Sequence, residues 1–472
     1  MKMLIGGVWR DTDRTISVTD PFDNHEIDTV PAAGAAEVDQ ALTSAEQGAG
    51  QARKMTSFQR ARVLLETAQI VEAKLEEFSR TIALEGSKTI REARNEVRRC
   101  VQTLTVSAEE SKRIRGETIP YDSVPGGERR AGYYYRFPIG IVLAITPFND
   151  PLNLVAHKLG PAFAAGNSVV LKPAAVTPLS ALKLAQAFLE AGLPPHALNV
   201  VTGHGHEIGD MLVGDPRPRM VSFTGGLEAG QRITRLAGIK KIGMELGSNS
   251  PVIVMDDCDL DSAVSACVSG AFSAAGQNCI GVQRIYVMKT IHEEFRDRFL
   301  TRTRQYKVGP KLEEDCDMGP MITEREAERV CTWINEARNM GADILCGGSR
   351  TGAVVEPTVL TNVPAEAAIH RREVFGPTVN IYPVSSLAEA IAAANSLEYG
   401  LHAAIFTRDI NRAFQAACAL DCGGVMINDS TDYRLDSMPF GGVKNSGLGR
   451  EGIRFSLQEM TETKVICVHF PE

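Results

Sequence analysis

Ile139-Gly140-Ile141-Val142-Leu143-Ala144-Ile145-Thr146-Pro147-Phe148-Asn149 is the stretch on which the fold turns. An uncharged apolar run that stops at a polar, proline-bearing turn reads as a strand buried on both faces. A helix-like segment, Leu152 to Ala165, follows it. Next come Ser168-Val169-Val170-Leu171-Lys172-Pro173, a helix from Ser180 to Ala191, and the short strand Leu198-Asn199-Val200-Val201. Met220-Val221-Ser222-Phe223 precedes Thr224-Gly225-Gly226, and Pro251-Val252-Ile253-Val254-Met255 lies just beyond Glu245. Apolar strands alternating with helices imply an α/β fold whose parallel sheet is covered on both faces. Ligands on such sheets bind at the carboxyl ends of the strands.

The alternation resumes after Asp256: a helix across Ser262 to Ala275, a strand at Gln283 to Val287, and a helix from Ile291 to Tyr306. These predict a second α/β domain. Upstream, Phe58, Ala61, Leu64, Leu65, Ala68, Val71, Leu75 and Phe78 recur at helical steps and predict one amphipathic helix, with a second over Glu92 to Lys112. Arg129 to Phe137 and Lys464 to Val468 read as strands leaving the body, placed to pair with another subunit.

Composition narrows the class. At 472 residues the chain exceeds one simple core, so two or three domains are expected. A net charge of -8 without a basic tract argues against nucleic acid or an anionic membrane as partner. Met1 to Arg10 lacks the apolar core of a signal peptide, and no stretch is long and apolar enough to span a bilayer. The 10 cysteines lack the paired spacing of a disulfide framework, so a reduced cytoplasmic setting is expected. Cys418 and Cys422 have no companion ligands, and no metal site is predicted.

Three residues offer chemistry. A thiolate attacks carbonyl carbon well, which makes Cys279 in Gly276-Gln277-Asn278-Cys279 a candidate nucleophile. A semi-buried carboxylate can deprotonate water, which suits Glu245 in Glu245-Leu246-Gly247-Ser248-Asn249-Ser250-Pro251. An oxyanion needs fixed donors, and Asn149 supplies an amide at the end of a strand. Taken singly, each has a plain alternative: a buried structural cysteine, a helix-end or salt-bridged glutamate, a turn asparagine. Phe223-Thr224-Gly225-Gly226 with Gly230 adds a Gly-rich strand-to-helix turn, where free helical N–H groups attract phosphate.

Together these strings resemble the paired signatures of the aldehyde dehydrogenase superfamily, and the likeness runs from Pro147 to Pro439-Phe440-Gly441-Gly442 and Gly447. The resemblance implies a Rossmann-type cofactor domain (1–120 and 139–247), an α/β catalytic domain (248–445) and a small β oligomerisation flap (121–138 and 455–472). It implies catalysis by Cys279, Glu245 and Asn149 through a cysteine thioester, with NAD or NADP as cofactor. Cofactor contacts are carried over to Thr146-Pro147-Phe148, Lys172, Ala174 and Ala175, Phe223-Thr224-Gly225-Gly226 with Gly230, Leu246, Glu373 and Phe375. Within that set Lys172 binds the adenosine ribose and Glu373 the nicotinamide ribose. Ser248-Asn249 departs from the usual Gly-Lys, which touches the loop rather than the carboxylate. Ala175 stands where NAD-preferring relatives often carry a glutamate, so NADP is permitted and NAD is not excluded.

The substrate mouth is polar. Asp150 follows Asn149 directly, and His157 lies on the helix that lines the tunnel in relatives. Arg99 resembles an arginine that grips anionic aldehydes, and Arg434 falls in a second segment facing the same mouth. Guanidinium forks bind phosphonate, phosphate, sulfonate or carboxylate with paired hydrogen bonds. The strings around Asn149 and Arg434 most resemble bacterial phosphonoacetaldehyde dehydrogenases, which implies oxidation of phosphonoacetaldehyde to phosphonoacetate. Sulfoacetaldehyde, lactaldehyde and glyceraldehyde 3-phosphate remain open, although Asn278 replaces an arginine frequent in oxidisers of the last. Retention of Glu245 favours hydrolysis over acyl transfer to coenzyme A, and retention of both base and nucleophile disfavours a non-catalytic binding protein. A homodimer or homotetramer is expected.

Overall fold

The computed structural model describes residues 1–471. Five parallel strands form the heart of the first sheet. Ile141–Ile145 is in the middle, with Ser168–Lys172 and Leu198–Val200 on one side and Met220–Thr224 and Lys241–Glu245 on the other. The chain therefore winds outward from the central strand in both directions. Its order reverses between Ile141–Ile145 and Met220–Thr224, and such a switch point opens a ligand crevice at the carboxyl ends. Met3–Ile5 and Val8–Arg10 extend one edge, while Gly447–Leu448 closes the other against Met244 and Glu245.

The central strands are apolar because helices cover both faces. Val142, Leu143, Ala144, Val169, Val170 and Leu171 are all inaccessible to solvent. The Asn153–Ala165 helix is buried along its whole length and ends where Gly166 turns left-handed (φ 86°). It packs closely on the Ile90–Ser111 helix: a Cβ at Gly160 would come within 2.4 Å of Ser107 Oγ. That second helix starts in a reciprocal cap between Thr89 and Glu92.

A second sheet of seven strands runs Asp343–Cys346, Thr358–Thr361, Thr378–Val384, Val282–Met288, Ser250–Val254, His402–Phe406, Gly424–Ile427. All but the first are parallel to their neighbours. A third sheet is antiparallel, with Arg130–Pro138 between Glu117–Ile119 and Thr461–His469. No helix among the described residues is long and apolar enough to cross a membrane.

One expectation changes. The single helix predicted over Phe58 to Phe78 is two helices, Ser57–Ala73 and Leu75–Glu85, with the break at Lys74 (φ -104°, ψ 25°). The apolar period continues through the bend because both helices bury a face in one core, while Phe58 at its start is 67% exposed. The strands read at residues 129–137 and 464–468 are present and pair with each other, Arg130 opposite His469 and Pro138 opposite Thr461.

Candidate active site

Cys279 is held by an unusual piece of backbone. The Leu260–Phe272 helix ends, and Ala274, Ala275 and Gly276 then adopt positive φ (51°, 55° and 68°) in succession. Left-handed alanines cost about 1–2 kcal/mol each, so the surroundings must impose them. Glu92 Oε1 accepts the Ala274 N–H at 2.8 Å, and Gln277 is clamped between Ala274 O (3.0 Å) and the Ile322 N–H (2.9 Å). Beyond the thiol, Thr431 donates to Ile280 O at 2.6 Å. At Gly276 a Cβ would lie 2.2 Å from Gly376 O. Gly276→Ala is therefore expected to lower stability by about 1–3 kcal/mol and to displace Cys279; thermal melting and thiol alkylation rates measure the two effects.

Asn149 and Cys279 line one cavity of 340 Å³, together with Lys88, Glu92, Asn95, Glu96, Arg99, Asp150, Asp432 and Arg434. Asn149 arrives on the turn after the central strand, and Cys279 arrives from the second sheet. The Phe148 and Phe375 rings meet edge to face across the join, 5.6 Å between centroids. Burial pushes the Cys279 thiol up to about 12, Glu373 adds to the rise, and Arg434 opposes it.

Glu245 ends the Lys241–Glu245 strand and is 3% exposed. It does not line the Cys279 cavity; it borders a small void with Arg450 and Glu451. Its Oε2 has no hydrogen-bond partner. Burial raises its carboxyl well above the usual range and Glu451 adds to this, while Arg434, Lys158 and Arg450 pull it down. Behind it, Lys158 Nζ donates to Glu451 at 3.0 Å and to Ser222 Oγ at 3.1 Å.

Of the three predicted cationic contacts, two face the cavity. Arg99 lines it, held by Asp436 at 2.9 Å and touching Asp150 at 3.4 Å. Arg434 lines it, lies 3.8 Å over the Phe440 ring, and pairs with Glu451 at 3.3 Å. His157 corrects the expectation. Its side chain is wholly buried behind the wall, hydrogen-bonded to Asp436 at 2.8 Å, and burial together with Arg434 holds it below its usual range. It is a neutral core histidine that anchors Asp436. Sequence reading missed Lys88, which pairs with Glu96 at 2.7 Å and also with Asp150. Glu92, Glu96 and Arg99 recur at helical spacing on one face, a signal that was available.

The crevice at the switch point suits a dinucleotide. Thr146 Oγ1 and Thr224 Oγ1, at the carboxyl ends of the two diverging strands, are buried without partners. Gly226 caps the Leu227–Leu236 helix with open space where a Cβ would be, leaving the helix N–H groups free for phosphate. Phe223 and Leu246 flank this turn, and a Cβ at Gly230 would press on Leu246 at 2.6 Å. Lys172 donates to Pro173 O (2.9 Å) and Gly203 O (3.1 Å), and burial lowers it to about 8. Pro147, Ala174 and Ala175 are half-buried beside it in sequence or at the neighbouring strand end. Across the crevice Glu373 accepts the Ser248 N–H at 2.9 Å, and burial pushes it up to about 7. A Cβ at Gly247 would collide with that carboxylate at 2.1 Å, which accounts for the glycine.

Comparison with known proteins agrees with this geometry. The model of the "Aldehyde dehydrogenase family" matches residues 9–466. An aspartate-semialdehyde dehydrogenase from Pseudomonas canavaninivorans is 49% identical over 454 residues, 96% of either chain. A 3-sulfolactaldehyde dehydrogenase from Priestia aryabhattai is 44% identical over 467 residues, 99% of this chain and 98% of the relative. The crystal structure of an NADP-dependent glyceraldehyde-3-phosphate dehydrogenase from Bacillus halodurans, complexed with NADP, superposes with a TM-score of 0.97 at 36% identity, covering 99% of both chains.

Proposed function

Because this chain belongs to the aldehyde dehydrogenase family, we propose that it acts through a Cys279 thioester on a small aldehyde whose far end carries an anionic group. The protein is an NAD(P)-dependent enzyme that oxidises aldehydes to carboxylic acids. The substrate reading rests on one observation: Arg99, Arg434 and Lys88 line the same cavity as Cys279 and Asn149. Phosphonoacetaldehyde is the substrate favoured by the sequence strings. The names of the relatives, aspartate semialdehyde, 3-sulfolactaldehyde and glyceraldehyde 3-phosphate, share a small aldehyde with a carboxylate, sulfonate or phosphate at the other end.

In this mechanism the Cys279 sulfur forms a bond to the carbonyl carbon, and the oxygen becomes an alkoxide held by the Asn149 amide and the Cys279 N–H. Bound NAD(P) supplies the two-electron oxidant, which leaves the acyl group as a thioester on Cys279. Glu245 takes a proton from water; the resulting C–O bond replaces the C–S bond, and the acid leaves with the thiolate restored. Lys172, Glu373, Thr146 and Thr224 would hold the cofactor, and the uncapped N–H groups of the helix after Gly226 would suit its phosphates. The first sheet serves the cofactor, the second carries Cys279, and the third joins subunits into a homodimer or homotetramer. Exposed Tyr133, Tyr135, Val465 and Val468 on that third sheet support the last role. All ten cysteines are unpaired, in keeping with a reduced cytoplasmic setting.

The test is kcat/KM for phosphonoacetaldehyde, sulfoacetaldehyde, glyceraldehyde 3-phosphate, lactaldehyde and propanal, each with NAD and with NADP. Arg99→Ala is expected to raise KM for the anionic aldehydes by about tenfold or more, the worth of a charge-assisted hydrogen bond, and to leave KM for propanal little changed. Equal losses on both, or a wild-type preference for propanal, would remove the anion-binding role.

A further inference from the structure

We infer that Asn249 is a positioning residue for cofactor binding: it fixes the segment that carries Glu373 and so holds that carboxylate at the nicotinamide ribose. This deepens the proposed cofactor role of Glu373 and rests on it.

Asn249 lies on the short crossing from the first sheet to the second, between the Lys241–Glu245 and Ser250–Val254 strands. It is 1% exposed, so its amide must find its partners within the protein. Nδ2 donates to His370 O at 2.8 Å and to Arg372 O at 2.9 Å. Oδ1 accepts from Arg284 Nε at 2.9 Å, and the Asn249 carbonyl accepts from Arg284 Nη2, also at 2.9 Å. Arg284 belongs to Val282–Met288, the strand that leaves Cys279. One residue thus joins the loop after Glu245, the strand after Cys279 and the segment leading into Glu373.

The main chain is pinned on both sides of Glu373. Asn249 takes the Arg372 carbonyl before it, and Arg329 takes the Val374 carbonyl after it at 2.8 Å. The carboxylate itself accepts the N–H of Ser248, the neighbour of Asn249. A single N–H cannot fix both oxygens, so the place of the carboxylate follows from that of its backbone. Ser248-Asn249 is also where this chain departs from the usual Gly-Lys. A lysine only donates, whereas this amide donates to two carbonyls and accepts from a guanidinium. The Arg284 guanidinium is buried and pairs with no carboxylate among the described residues; its other partners are Tyr286 Oη, Ala393 O and Ala394 O. Asn249→Asp would therefore keep an oxygen against Arg284 and add a counter-ion, while leaving the His370 and Arg372 carbonyls without their donor.

The experiment measures NADH and NADPH dissociation constants by fluorescence, the aldehyde KM and thermal melting. The proteins are wild type, Asn249→Asp, Glu373→Gln and the double variant. Asn249→Asp is expected to melt close to wild type, to weaken the tighter-binding dinucleotide by about tenfold, the worth of a hydrogen bond, and to leave the aldehyde KM unchanged. Glu373→Gln is expected to weaken it similarly, and the double variant no further than Glu373→Gln alone, because one residue acts through the other. Wild-type cofactor binding in Asn249→Asp beside weakened binding in Glu373→Gln overturns the positioning role alone. So do single losses that multiply in the double variant, whatever the melting temperatures. Glu373→Gln binding both dinucleotides as tightly as wild type removes Glu373 from the cofactor site, and the inference with it. Should Asn249→Asp not fold, Asn249→Ser takes its place in the same cycle.

Discussion

Cys279→Ala is expected to lower kcat by about 10⁴-fold or more while NAD(P)H binding, followed by fluorescence, stays near wild type. Among the described residues Cys279 is the only cysteine lining the cavity, and the cofactor contacts proposed above lie elsewhere. Turnover retained in this variant would end the thioester mechanism. The same thiol has a pH signature. Burial holds Cys279 up to about 12, so below that value the thiolate fraction grows about tenfold per pH unit. Alkylation of the free enzyme by iodoacetamide is then expected to accelerate steadily from pH 7 to pH 10. A plateau near pH 8 would mean that Arg434 outweighs burial.

Glu245→Gln separates the two halves of the reaction. Acylation does not need this carboxylate, so rapid mixing is expected to give one burst of NAD(P)H per active site. Steady turnover then falls by about 10²–10⁴-fold, the usual worth of a general base. Loss of the burst along with turnover would place Glu245 in acylation instead. Full turnover restored by added coenzyme A would reveal that the site passes the acyl group to a thiol. The carboxylate borders a small void beside Arg450 and Glu451, with Oε2 unpartnered. The Glu245 charge nevertheless reaches Cys279, adding to the rise of its thiol. A Cβ at Gly441 would come within 2.9 Å of Glu245 Oε1, so that glycine leaves the side chain space.

The strands around Ile141 and Ser168 were legible because burial on both faces leaves an unbroken apolar run. Lys241–Glu245 was not, since Lys241, Ile242 and Gly243 are only half-buried and the run starts with a charge. Cys279 and Asn149 were legible through the strings around them, and the cavity brings them together. The polar wall was legible only in part. Arg99 and Arg434 stand out as charges, but their partners Asp436 and Glu451 come from distant segments, and no local pattern announces such pairings. His157 misled for the same reason: alone it reads as a cation at the tunnel, whereas Asp436 and complete burial make it a neutral prop.

The pairing of Arg130–Pro138 with Thr461–His469 also imposes a timetable on synthesis. Arg136 and its partner Thr461 are 325 positions apart, and at about 5–20 residues per second the ribosome needs some tens of seconds to join them. Throughout that interval the nascent Arg130–Pro138 strand, with Tyr133 and Tyr135 on it, keeps an open edge able to pair with a neighbouring nascent chain. The strand Gly447–Leu448, which seals the sheet beside Glu245, is equally late. Until Thr461–His469 emerges, the Arg130–Pro138 edge is the one on which a neighbouring nascent chain can dock.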